Sequence, residues 1–334
     1  MSSDLSLSPS PPPTSADAPL GADGMLAPAL IAAASARVGA ALPATPLVHA
    51  ERLGAWLKLE NLQVTGAFKV RGALNALAAQ VARGDRRAVV AASAGNHGLG
   101  VAWSARRLGL AATIVVPEGA PEVKAAGCRA LGARVVHTGG GFERCAAHAR
   151  ALAADTGARF VHPFDDPEVI AGQATVGLEL LPLKPDVVVL PVGGGGLIAG
   201  AGSVLARAGI RVVGVQVAGI DSLRRALARA SAHIGAGAEI EAPPTTLADG
   251  LRVSAPGTLP LRIAARFLDD IIIVDEDEIS GAMAGLALGE RIVAEGAAAV
   301  AVAALARVSG RRKAAVVSGG NVDARVLARV LGRC

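Results

Sequence analysis

Short runs of Val, Ile, Leu and Ala, at 56–60, 88–92, 112–116, 134–137, 158–162, 186–191, 211–217, 271–274 and 313–318, alternate with Ala/Leu/Arg segments of helical period. Gly, Pro or Asp separates them. Strand, helix and parallel strand repeat in this way when each crossover carries a helix, so the rhythm admits few architectures. Most of the runs are apolar without alternation, as strands are when both faces of their sheet are covered. The expected fold is therefore α/β, with open parallel sheets and helices on both faces. At 334 residues, 52% hydrophobic and 18% charged, the chain can bury a core large enough for two lobes sharing one body. No repeat of solenoid period appears.

The charge balance is +5, but the basic residues are scattered, and aromatics make up only 2% with no Tyr. There are few rings on which bases can stack, so nucleic acid is not expected as a partner. Cys128, Cys145 and Cys334 are an odd set without metal-ligand spacing, which fits a reducing cytoplasm. Residues 1–25 read as a disordered tail: they lack the basic and apolar regions of a signal peptide. No apolar run is long enough to span a bilayer, so no membrane partner is expected.

Ligands of open parallel sheets gather where strands end and helices begin, and four junctions there are rich in small residues. Gly193, Gly194, Gly195 and Gly196 precede a helix expected near Leu197 and expose backbone N–H groups to one point, an anion cradle. No Gly-Lys-Ser/Thr follows, which excludes a Walker loop, and Gln216 stands where a dinucleotide fold carries its acidic residue. Lys69 is expected two residues into a helix whose first turn holds Gly66, Ala67 and Phe68. Burial and the helix dipole both favour the neutral amine there, the state a Schiff-base lysine needs. The chain's other lysines are only Lys58, Lys124, Lys184 and Lys313. Ser93, Ala94, Gly95, Asn96 and His97 read either as a helix cap or as a carboxylate site. Ser318, ahead of Gly319, Gly320 and Asn321, reads as a cap or as a partner for a pyridine nitrogen. An amine and an anion cradle in one sheet suit pyridoxal phosphate; a nucleotide-binding α/β oxidoreductase is the alternative from another class.

At these junctions the sequence resembles the fold-type II pyridoxal-phosphate enzymes, which share the tryptophan synthase β-like fold, and within them the threonine/serine dehydratase and serine racemase group. The segments LKLENLQVTGAFKVRGALNAL, ASAGNHGLGVA, HPFDDPEVIAGQATVGLE, LPVGGGGLIAG and VVSGGNVD carry the likeness in the family's order. The resemblance implies pyridoxal 5'-phosphate as cofactor, with Lys69 as Schiff-base lysine and Phe68 lining the ring. It further implies Asn96 on the phenolic oxygen, Gly193 to Gly196 with Leu197 around the phosphate, and Ser318 on the pyridine nitrogen. Ser93, Gly95, Asn96 and His97 would take the carboxylate of an amino-acid substrate. The implied activity is that of a lyase converting L-threonine or L-serine to 2-oxobutyrate or pyruvate plus ammonia. Serine racemase and dehydratases of other β-hydroxy amino acids, such as hydroxyaspartate, are the alternatives within the class. A homo-oligomer, dimer or tetramer, is implied as well.

Three departures matter. The family's TGSFK reads TGAFK here, and Ala67 cannot make a hydroxyl's hydrogen bond. Racemases carry a second serine, the acid/base opposite the lysine, where this chain has Ala94. Their metal site uses a glutamate where this chain has Gln216, with Asp221 nearby, so no metal is expected. The expected organisation is a large cofactor domain, 26–87 and 165–330, with a small domain, 88–164, inserted. The chain ends soon after Asn321, which reads as the short form without a regulatory domain.

Overall fold

In a parallel sheet covered on both sides, successive residues of one strand must enter different cores, and the central strands here do so. The computed structural model describes residues 19–93, 95–118, 122–231, 240, 243–268 and 270–333. Its strands are β1 (Leu47–Ala50), β2 (Ala55–Leu59), β3 (Val89–Ala92), β4 (Ala112–Pro117), β5 (Arg134–Thr138), β6 (Arg159–Phe160), β7 (Val187–Pro191), β8 (Arg211–Val217), β9 (Asp270–Val274) and β10 (Lys313–Val317). Along β7, Val187 and Val189 join the core under helices Glu276–Ala284 and Gly296–Ala303. Val188 and Leu190 join the core under helices Pro167–Leu180 and Gly196–Arg207. Residues of β8 and β10 divide in the same way.

A six-stranded sheet runs in the order β1-β2-β10-β7-β8-β9, and a four-stranded sheet in the order β5-β4-β3-β6. All pairings are parallel except that of β1 with β2. The edge strand β1 is absent from the sequence reading. It is four residues long, interrupted by His49, and joined to β2 through the short turn Glu51–Leu53 with Gly54 left-handed at φ 57°. The four-stranded sheet is covered by helices Lys69–Ala82 and Asn96–Leu108 on one face and Phe142–Thr156 on the other.

The inner end of the expected tail needs correction. Residues 1–18 lie outside the described residues, but 19–25 pack on the body: Leu20 bridges Leu26, and Asp23 pairs with Arg207 at 2.8 Å. The Ala-rich stretch behind Glu295 forms helix Gly296–Ala303, apolar all round and buried from Gly296 to Val302. No helix among the described residues is long and apolar enough to cross a membrane.

Candidate active site

Three of the glycine-rich junctions follow β3, β7 and β10 directly, and the fourth follows β2 through the turn Glu60–Leu62. They meet around a cavity of about 430 Å³ whose lining includes Phe68, Lys69, Ser93, Asn96, Gly193 to Leu197, Glu295 and Ser318. The strand order explains the meeting. Because β10 inserts between β2 and β7, Ser318 lies between the lysine segment and the glycine loop.

The helix begins at Lys69 itself rather than two residues earlier. The preceding residues are held by the β10 junction: Ala67 bridges Gly319, Phe68 N–H donates to Ser318 O at 3.1 Å, and Gly320 N–H donates to Gly66 O at 2.8 Å. Lys69 Nζ donates to Pro163 O at 2.9 Å and lies 5.3 Å from the centre of the Phe68 ring. Burial lowers its pKa to about 8, against the opposing pull of the Glu295 carboxylate. Two residues along, Arg71 is fully buried between Glu60 and Glu179, at 2.7 and 2.6 Å, and Lys58 joins Glu179 at 2.5 Å. These four charges pin the lysine helix to β2 and to helix Pro167–Leu180.

The N–H groups of Gly193, Gly194, Gly195 and Gly196 have no acceptor among the described residues, and helix Gly196–Arg207 begins behind them. Free N–H groups converging on a helix start suit a phosphate. The Ser318 hydroxyl, on a residue 3% exposed, likewise has no partner among the described residues, although it borders the cavity. The lining residues thus fit pyridoxal phosphate: an amine biased toward its neutral form, a cradle of unpaired donors, and a spare hydroxyl between them.

In the loop after β3, Gly95 N–H donates to Ser93 Oγ at 3.0 Å, so that donor is used within the loop, whereas the N–H groups of Asn96 and His97 have no acceptor among the described residues. His97 Nε2–H donates to Val161 O at 3.0 Å, which leaves Nδ1 as a buried acceptor without a partner among the described residues. Burial, with Lys69 adding, depresses the His97 pKa to about 3. The ring is neutral, so only the backbone of His97 is available to an anion. Ala94 lies outside the described residues.

Sequence reasoning missed Glu295, Lys124, Asp249 and Phe164. Glu295 stands directly before helix Gly296–Ala303, its side chain making no capping hydrogen bond among the described residues, and is 4% exposed. Burial raises its pKa to about 7, with Asp249 adding and Lys124, the Asn96 N–H and Lys69 opposing. Lys124 pairs with Asp249 at 2.9 Å across the cleft, one from the helix after β4 and the other from the turn Asp249–Leu251. Phe164 lies in the segment HPFDDPEVIAGQATVGLE, which signalled the family but not this residue's place; no motif surrounds the other three, and only tertiary folding brings them to the cavity. Gln216 is engaged elsewhere: its Oε1 accepts from Arg224 N–H at 2.9 Å, while Asp221 pairs with Arg224 and Arg225. No group of three His, Cys, Asp or Glu suited to a metal occurs among the described residues.

Residues 40–320 match the family model described as pyridoxal-phosphate dependent enzyme. The chain is 44% identical over 285 residues to an L-threonine ammonia-lyase of Thermotoga maritima, covering 83% of this chain and 70% of that one. Its fold resembles the processed threonine deaminase isoform 2 of Solanum lycopersicum, with TM-score 0.83, 32% identity, and 91% and 86% of the two chains covered. It also resembles maize serine racemase, with TM-score 0.81, 29% identity, and 91% and 96% covered. A family match that takes in both sheets and the four junctions as far as Gly320, beside a curated relative at that identity, makes the chain a member of the pyridoxal-phosphate dependent enzymes.

Proposed function

We propose that the cleft eliminates water from L-threonine and L-serine, releasing a 2-oxo acid and ammonia, with Lys69 as the covalent carrier of the cofactor. The observation that carries this reading is the placement of Lys69. Its amine, with a pKa near 8, shares one cavity with the N–H groups of Gly193 to Gly196 and the unpaired Ser318 hydroxyl. The names of the Thermotoga and Solanum relatives support the choice of threonine.

Bound pyridoxal phosphate supplies an electron sink for the charge left at the substrate's α-carbon. The chain does the rest. Gly193 to Gly196 and Leu197, in the first turn of helix Gly196–Arg207, would hold the phosphate through N–H groups, and Phe68 would flank the ring. The Ser318 hydroxyl serves the pyridine nitrogen without a full charge, which favours elimination over transamination. Asn96 has one amide N–H to spare for the ring oxygen, since the other goes to Glu295. Ser93 and the N–H groups of Asn96 and His97, with Gly95 shaping the turn, receive the substrate carboxylate. The Lys69 amine, whose neutral fraction is enlarged by a pKa lowered to about 8, would take the substrate's α-proton. Breaking the α C–H and β C–O bonds removes water, and hydrolysis then returns it, releasing ammonia from the 2-oxo acid.

Elimination is preferred to racemisation because Ala94 has no proton to deliver to the opposite face. We further assign the enzyme to the cytoplasm as a homo-oligomer, dimer or tetramer. Two free buried cysteines and the exposed apolar side chains Leu62, Val64, Leu288 and Val293 support that assignment. The test is to incubate the holoenzyme with L-threonine, L-serine and L-threo-3-hydroxyaspartate, following 2-oxo acid, ammonia and D-amino acid together. Equimolar 2-oxo acid and ammonia from the first two substrates is the expected result. Faster turnover of hydroxyaspartate, or D-serine formed as fast as pyruvate, contradicts the reading.

A further inference from the structure

We propose that Glu295 is a positioning residue for the cofactor ring, holding the Asn96 amide, from the end opposite Asn321, in the orientation that leaves one N–H of that amide free for the ring. The proposal rests on the role assigned to Asn96 above. Its argument is a single hydrogen-bond chain. Asn321 Nδ2 donates to Thr65 O at 2.8 Å, and because a carbonyl cannot donate, this bond settles the orientation of the Asn321 amide. The same nitrogen lies 2.8 Å from Asn96 Oδ1, which must therefore accept from it. Asn96 Nδ2 is then left facing Glu295 Oε1 at 2.6 Å, and a carboxyl oxygen there can accept. One Asn96 N–H is spent on Glu295, and the second has no partner among the described residues.

The carboxyl is built into its place. Glu295 N–H donates to Gly319 O at 3.0 Å, and a side-chain carbon on Gly319 would stand 2.3 Å from Glu295 Oε1, so only glycine admits it. Lys69, Lys124 and Asp249 are the charged groups that act on it. The chain Glu295–Asn96–Asn321–Thr65 joins the start of helix Gly296–Ala303 to the loops after β3, β10 and β2. A connected network anchored on a buried carboxyl in this way specifies one arrangement of its members.

Glu295→Leu removes the acceptor at similar size, and Glu295→Gln keeps an acceptor without charge. Cofactor dissociation constants and absorption spectra are measured for both, for Asn96→Ala, and for the Glu295→Leu/Asn96→Ala double variant, with melting of each apoprotein as the control for folding. We expect Glu295→Leu to weaken cofactor binding about tenfold and shift the absorption band, and Glu295→Gln to stay within about threefold of wild type. In the Asn96→Ala background, Glu295→Leu should add almost nothing, because it acts through that amide. Additive losses in the double variant overturn the proposal, as does a Glu295→Leu protein that melts normally and binds the cofactor as wild type does. If Asn96→Ala itself leaves affinity and spectrum unchanged, the role given to Asn96 fails, and this inference falls with it.

Discussion

Lys69 and Glu295 have pKa values displaced toward each other by the same burial, and each displacement has a measurable consequence. Amine reagents attack only the neutral form. In the apoprotein, Lys69 near pKa 8 should therefore label roughly a hundredfold faster at pH 8 than the lysine of an added model peptide, whose pKa is about 10.4. Peptide mapping after brief labelling reads that ratio, and equal rates contradict the shift. For Glu295 the folded pKa lies above the unfolded one, so the folded protein binds more protons between pH 4.5 and about 7. Relative to Glu295→Gln, the apoprotein's stability from this group is fully present below pH 4.5 and is lost as pH rises through 7. The loss is roughly 3 kcal/mol, seen as converging or crossing urea midpoints. A difference independent of pH contradicts it. At this scale the sequence singled out Lys69, which lines the cavity, because a lysine in a small-residue helix start is rare and chemically pointed. Glu295 stayed hidden because a lone glutamate before an alanine-rich helix looks like an ordinary first-turn acid.

At the scale of elements, the glycine loop is shaped by its neighbours as well as by a ligand. A side-chain carbon at Gly194 would stand 2.4 Å from the Phe164 ring, which fills the space above the loop. Gly194→Ala should thus cost about 1–3 kcal/mol of apoprotein stability from overpacking, and Phe164→Ala in the same chain should recover part of it. A double variant whose loss equals the sum of the single losses contradicts that contact. Arg71→Met should cost about 3–5 kcal/mol in urea unfolding, since Glu60 is buried and Glu179 keeps only Lys58 as an ionic partner among the described residues. A loss below 1 kcal/mol shows that the buried charges are not coupled. The parallel strands were legible because burial on both faces writes continuous apolar runs. β1 was not, because an edge strand of four residues has neither a run nor an alternation to read. The start of the lysine helix was misplaced for a related reason: pairing of Ala67 and Phe68 with the β10 junction is a tertiary contact that overrides local helix preference.

For the whole molecule, strand order does what no local motif can. Insertion of β10 between β2 and β7 gathers three distant junctions, and the four-stranded sheet closes the cleft with the Ser93 to His97 loop and the Lys124–Asp249 pair. The motifs named the pieces, but their order in space follows from which strands pair. The central claim is that this convergence makes Lys69 the carrier of pyridoxal phosphate. Its most direct test is borohydride reduction of the holoenzyme followed by peptide mapping. The account predicts one pyridoxyl-labelled peptide, bearing the label on Lys69, with the violet absorption bleached in proportion. Label on Lys124 or another lysine, or an absorption band that persists in Lys69→Ala, would contradict it.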